Sequence, residues 1–329
     1  MCAYPKLRMT TSAETCKRTY IRVPPFKATA RWRRVTRALA GTVLSPAYWL
    51  LAHRYHVPGL RFRLDSARLG LRLLYNRKAP FSYPEIYGLL FWPMHSTRYF
   101  EFEFMWESLS DVSFQYYLDI SSPRLFPILL LSARPEITAE LVNPDKKDLQ
   151  DTARFVRACG IDSRCHLQDR LIEEAAFAPE SFDVITTISV IEHIPEDKDA
   201  VKRIWQLLKP GGKLLLSVPC AAVAEEQYLD IDHFGLQIPD ENGFFFHQYI
   251  YDQRLLIERF YSVMGTPARL TIYGEKKAGS LLSGLLEKWS GQGYPLWKEP
   301  YAMARECRRY ESLADLPGEG VISMEFIKK

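Results

Sequence analysis

Acidic residues are nearly missing from the first quarter of this 329-residue chain: residues 1–80 hold 17 Lys and Arg but only Glu14 and Asp65. That segment carries +15 and the remainder −11, although the whole chain is only +4. Such asymmetry points to a basic arm or face that meets an anionic membrane surface or another polyanion, or to a solvated, partly disordered tail. Long apolar runs are missing too. The first, Ala38 to Ala52, is about 15 residues and contains Pro46, which is short for a membrane span. Its flanking Arg31, Arg33, Arg34 and Arg37 and its Tyr48-Trp49 pair fit a monotopic membrane contact, or a helix packed on the rest of the protein. It follows a basic stretch too long for a signal peptide's n-region, so no secretory signal is expected. The six cysteines (Cys2, Cys16, Cys159, Cys165, Cys220, Cys307) form no C-x-x-C pair and no even ladder. That argues against a zinc site or disulfide framework and for a reducing, cytoplasmic setting, with peripheral membrane attachment left open. Finally, no glycine lies between Asp119 and Gly160. The G-x-G-x-x-G turn of a nicotinamide-dependent dehydrogenase has nowhere to sit.

What is present is concentrated between Phe182 and Pro219. Val184 to Ile188 is a short β-branched run and reads as a buried strand. Pro195 suits a helix start, and Ala200, Ile204, Leu207 and Leu208 fall on one helical face. Lys209-Pro210-Gly211-Gly212 stops that helix, and Lys213 to Val218 forms a second buried strand. Strand, helix and strand in so few residues make a βαβ unit with a right-handed crossover, hence a parallel sheet.

Phe-Asp-Val-Ile at 182–185, Ile-Glu-His-Ile-Pro at 191–195 and Leu-Lys-Pro-Gly-Gly at 208–212 resemble the fourth- and fifth-strand segments of class I S-adenosylmethionine (SAM)-dependent methyltransferases. The broad small-molecule group called type 11 is the nearest branch. The resemblance runs over roughly residues 112–275 and the last strand. It implies an α/β fold: a Rossmann-like, seven-stranded methyltransferase sheet with helices on both faces. Residues 1–85 would be a basic, partly helical amino-terminal extension, and residues 86–329 the catalytic domain with an insertion at about 275–318. The strands would be Phe114–Ile120, Ile137–Val142, Arg164–Leu167, the two already described, Ala268–Tyr273 and Val321–Ile327. Residues 1–30 read as irregular, 31–56 as a helix interrupted at Ser45-Pro46, 60–78 as strand or helix, and Ala302–Leu313 as a charged helix.

The same resemblance implies a SAM cofactor and its contacts. Asp119 would meet the cofactor's ammonium. Ser121 stands where the first loop glycine is expected, and Pro123 near the second. The ribose hydroxyls would be gripped by Asn143 or Asp145, since one carboxylate accepts two hydrogen bonds; Asp145 equally suits a helix cap. Gln168 or Asp169 would meet the adenine, and Ile188 and Ser189 would line the crevice. A helix leading from Ser96 to Leu109, just before the first strand, would cover the cofactor, unless its aromatics are simply core.

His193 is the histidine that the Glu-His motif delivers to the carboxyl edge of the sheet, where open parallel sheets bind ligands. It reads as a general base on a hydroxyl or amine acceptor, or with Glu192 as part of the turn. Tyr228, His233, Phe246 and His247 lie in an aromatic stretch that would wall a small-molecule, sugar or lipid-like acceptor. Asp230, Asp232, His233 and His247 match no metal-ligand spacing, and no metal is expected. The insertion reads as a lid or as an oligomerisation element. A catalytically inactive member of the fold, acting as a binding or scaffold module, is the competing function, and the glycine-poor loop favours it.

Overall fold

A computed structural model describes residues 16–28, 30–75, 81–233 and 235–329. Cys2, Glu14, Pro80, Phe234 and the first half of the stretch read as irregular lie outside them. The chain opens with β1 (Lys17–Ile21), α1 (Arg31–Arg54), α2 (Leu60–Tyr75), α3 (Tyr83–Phe91) and α4 (Arg98–Leu109). The alternating part follows: β2 (Tyr116–Ile120), α5 (Leu125–Ala133), β3 (Thr138–Val142), α6 (Lys146–Cys159), β4 (Cys165–Gln168), β5 (Phe182–Ile188), α7 (Asp197–Leu207) and β6 (Leu208–Cys220). Then come β7 (Glu225–Leu229), β8 (Phe245–Ile250), α8 (Gln253–Leu256), a π-turn at Ile257–Tyr261, α9 (Ser262–Met264) and β9 (Arg269–Glu275). The chain closes with α10 (Ser280–Trp289), α11 (Tyr301–Glu306), β10 (Cys307–Tyr310) and β11 (Gly320–Ile327).

The main sheet has the order β4-β3-β2-β5-β6-β11-β9-β10. The first five strands are parallel; β11 runs antiparallel to both β6 and β9. These include the seven expected strands, and an eighth, β10, is added on the edge of β9. The parallel strands are apolar on both sides because both faces are covered. On one face Tyr117, Val184, Ile188 and Leu215 pack with α2 to α6. On the other, Leu118, Ile185, Leu214 and Leu216 pack with α7 and the 253–264 helix. Asp145 caps α6, accepting from the amides of Lys147 and Asp148, and Gly160 ends it at φ +68°.

Three expectations are corrected. Residues 17–21 are a strand: β1 pairs in parallel with β7, and β7 pairs with β8, giving a separate three-stranded sheet. α1 runs through Pro46 without a break; the proline faces outward, where solvent takes the place of the bond it forfeits. The charged segment after Tyr301 is helical only to Glu306, because pairing with β9 captures Cys307–Tyr310.

Arg63 of α2, 3% exposed, joins the extension to the insertion. Its guanidinium donates to the carbonyls of Phe91 (3.2 Å), Trp297 (3.0 Å) and Glu299, and to the Ser45 hydroxyl of α1. Arg63→Ala would leave these acceptors buried without a donor. We expect a loss of about 3 kcal/mol or more in urea unfolding, with Arg63→Lys recovering part of it.

Candidate functional site

β2 and β5 are neighbours whose following connections leave in opposite directions, so their carboxyl ends flank a topological switch point. Asp119 stands there, 2% exposed. It accepts from Thr186 Oγ1 (2.6 Å), Tyr117 Oη (3.1 Å) and the Ser122 amide (3.1 Å). Burial raises its pKa to about 6, against the pull of those bonds. Both strands then end in a non-glycine residue with left-handed backbone, Ser121 and Ser189, each at φ +49°. Such a conformation costs a side-chain-bearing residue about 1 kcal/mol. The turn expected of a loop glycine is therefore kept at Ser121, although the glycine is not.

α4 crosses this edge and places a carboxylate against it. Glu101, with no exposed surface, accepts from Ser189 Oγ (2.6 Å) and Ser217 Oγ (2.7 Å) at the ends of β5 and β6. Arg98, one turn back on α4, lies 2.6 Å from Glu101 and also bonds Ser189 Oγ. Burial pushes the Glu101 carboxyl up, but Arg98 and the serine hydroxyls outweigh it, and the net shift is downward. Glu101 therefore stays ionised.

Glu192 and His193 follow β5. His193 Nδ1 sits 2.7 Å from the His247 carbonyl. A carbonyl only accepts, so Nδ1 carries the proton and Nε2 holds the lone pair. Burial lowers the His193 pKa to about 4, so the ring is neutral above mildly acidic pH. Burial raises Glu192 to about 8, so it is mostly protonated near neutrality. Its Oε2 has no hydrogen-bond partner among the described residues, and its Oε1 lies 3.9 Å from His193 Nε2. A neutral acid and a neutral base thus stand side by side.

The insertion reaches His247, the neighbour of His193. Trp289 of α10 lies against His233 and His247 (ring centroids 5.9 and 6.0 Å), and His247 is 5.1 Å from His193. Beside Trp289, Lys288 Nζ lies 2.6 Å from His95 Nε2, and burial lowers the lysine to about 8. Glu299, raised by burial to about 7, accepts from the Ser96 amide and Tyr294 Oη.

The structure brings together Asp119, Ser121, Ile188, Ser189 and, beside them, His193, His233 and His247. Asn143 accepts from the Asp145 amide (2.9 Å) and donates to Asp148 (3.0 Å), while Asp145 is the α6 cap. Gln168 donates to Glu140 (2.7 Å), and Asp169 pairs with Lys146 (3.3 Å). Tyr228 and Phe246 do not form the expected aromatic wall. Each is buried in the small sheet, Tyr228 against Tyr20, Glu226 and Arg18, and Phe246 against Tyr249. Arg98, Glu101, Ser217, Lys288 and Trp289 were not singled out from the sequence. The one available signal was the i, i+3 pairing of Arg98 and Glu101 within an otherwise aromatic helix. Among the described residues, no group of three or more His, Cys, Asp or Glu is placed to hold a metal ion.

Comparison with known proteins adds to this geometry. A family model described as "Methyltransferase domain" matches residues 139–256. The ubiquinone biosynthesis O-methyltransferase of Idiomarina loihiensis is 40% identical over 57 residues, 17% of this chain and 22% of that protein. The enzyme of the same name from Pseudomonas putida is 33% identical over 60 residues, 17% and 26% of the two chains. The chain thus spans about a quarter or less of the length of these curated relatives. A solved geranyl diphosphate C-methyltransferase from Streptomyces coelicolor A3(2) superposes with a TM-score of 0.46 at 13% identity, covering 77% of this chain and 88% of that one.

The Glu192 proton has a consequence for stability. Its folded pKa of about 8 lies above the ordinary glutamate range, so the folded state keeps a proton that the unfolded chain releases. That contribution is complete in acid and is lost as pH rises toward about 8. Glu192→Gln removes it. Unfolding free energies measured from about pH 5 to 8 should show the variant gaining on the wild type by about 2 kcal/mol or more.

Proposed function

We propose that this chain, whose residues 139–256 match a methyltransferase-domain family model, is a class I methyltransferase and transfers a methyl group from SAM to a hydroxyl of a small amphiphilic molecule. The carrying observation is the Arg98–Glu101 pair held at the ends of β5 and β6: one cation and one anion where a zwitterionic amino-acid group would dock. That donor set fits the cofactor. The left-handed turn at Ser121 and the unpartnered Oε2 of Glu192 fit a ligand at the same edge. An oxygen acceptor is favoured by the names of the matched relatives, which are O-methyltransferases.

When bound, SAM supplies an electrophilic methyl on a positively charged sulfur. Arg98 would face its carboxylate, and Glu101 and Asp119 its ammonium, Glu101 giving up a serine bond it now makes. Asn143 or Asp145 would serve the ribose, and Gln168 or Asp169 the adenine, each giving up the bond it now makes to a neighbour. Ile188 and Ser189 would line the crevice between. His193 Nε2 is the base for the acceptor hydroxyl: neutral at physiological pH, and fixed in its tautomer by the His247 carbonyl. Trp289, His233 and His247 would exclude water and hold the acceptor.

Calorimetric titration with SAM and S-adenosylhomocysteine tests the reading. Micromolar binding is expected, weakened at least about tenfold by Arg98→Gln, which removes a charge-assisted bond. His193→Gln should leave that binding intact while lowering turnover of a hydroxyl acceptor about 100-fold or more. A folded protein that binds neither ligand at millimolar concentration would instead be a non-catalytic binding module.

A further inference from the structure

α1 is amphipathic with its faces reversed. A surface helix ordinarily turns its large apolar residues inward. Here the inward side is made of small residues: Gly41, Ser45 and Ala52 are the buried positions. At Gly41 a side chain would run into Tyr87 Oη and stand 2.6 Å from Trp297 Cδ1, so the helix is seated on its narrow side. The outward side carries Trp32, Val35, Leu39, Val43 and Leu50, each between 50% and 74% exposed. Their spacing of three, four, four and seven residues puts them in one stripe from Trp32 to Leu50, about 27 Å along the helix.

Charge says what covers the stripe. α1 has no acidic residue, and Arg33, Arg34, Arg37 and Arg54 are exposed around it. α2 repeats the pattern, exposing Leu64, Leu71 and Leu74 among Arg61, Arg68 and Arg72, with Asp65 as its one acid. A second copy of the same face would bring arginine against arginine. A free polyanion would use the arginines and leave the stripe in water. An anionic bilayer satisfies both, and among the described residues no helix is long and apolar enough to cross one. We propose that α1 lies along the surface of an anionic lipid bilayer, its apolar stripe in the acyl boundary and its arginines among the headgroup phosphates. This does not depend on the methyl-transfer reading.

Co-sedimentation of the full chain with phosphatidylcholine vesicles, with and without phosphatidylglycerol, tests it. Binding is expected to the anionic vesicles, to weaken with added salt, and to shift Trp32 fluorescence to the blue; Trp32→Phe removes that shift. Leu39→Glu with Val43→Glu, both at exposed positions, should lower binding at least about tenfold while leaving the circular dichroism and melting temperature unchanged. A wild type that stays in the supernatant with both vesicle types overturns the proposal. So does a dimer in solution that the same double variant converts to monomer, which would make the stripe a contact between copies.

Discussion

A carboxylate with no exposed surface is costly to keep, and Glu101 is kept beside the carboxyl ends of β5 and β6. It is tolerable because Arg98, two serine hydroxyls and the Thr97 hydroxyl stand around it. Those partners fix much else. Ser189 is held at φ +49° while bonding Glu101, Arg98 and the end of β6 at once. α4 is held across the sheet edge, and Phe100 on the same helix stacks on Tyr273 of β9 at 4.3 Å. The site and the fold therefore share one polar cluster.

The chemistry of the crevice follows from burial in a similar way. Desolvation disfavours charge of either sign, so it neutralises Glu192 and His193 in opposite directions: one keeps its proton, the other lacks one. Glu101 escapes because its counter-charge is on the adjacent turn. A fixed ion pair and an uncharged acid and base therefore stand together at one sheet edge.

Most of the central sheet was legible in the sequence because parallel strands buried on both faces are continuous apolar runs. The Glu-His turn and the Asp145 cap are likewise local in sequence. What was not legible depends on distant partners. β1 gains its partner from β7, about two hundred residues away, and reads alone as mixed charge. β10 looks helical by its charges until the edge of β9 claims it. Arg98 and Glu101 were hidden among the aromatics of α4, whose commoner fate is core. Tyr228 was misread for the converse reason: an aromatic beside polar residues resembles a pocket wall, whereas here Arg18 and Glu226 satisfy it from within its own small sheet.

Arg63 reaches two parts of the protein that also pack directly on each other, Tyr48 of α1 lying against Trp297 and Tyr301. On one side it holds Ser45, in the middle of α1; on the other it holds the carbonyls of Trp297 and Glu299, just beyond the helix that carries Lys288 and Trp289. None of the residues of α10 is fully buried, so that helix owes its position largely to its flanks. The seating of α10 against His247 is therefore tied in part to the seating of α1. Linkage of this kind is reciprocal: a surface that steadies α1 would bias the covering of the crevice, and a molecule filling the crevice would alter how tightly α1 grips that surface.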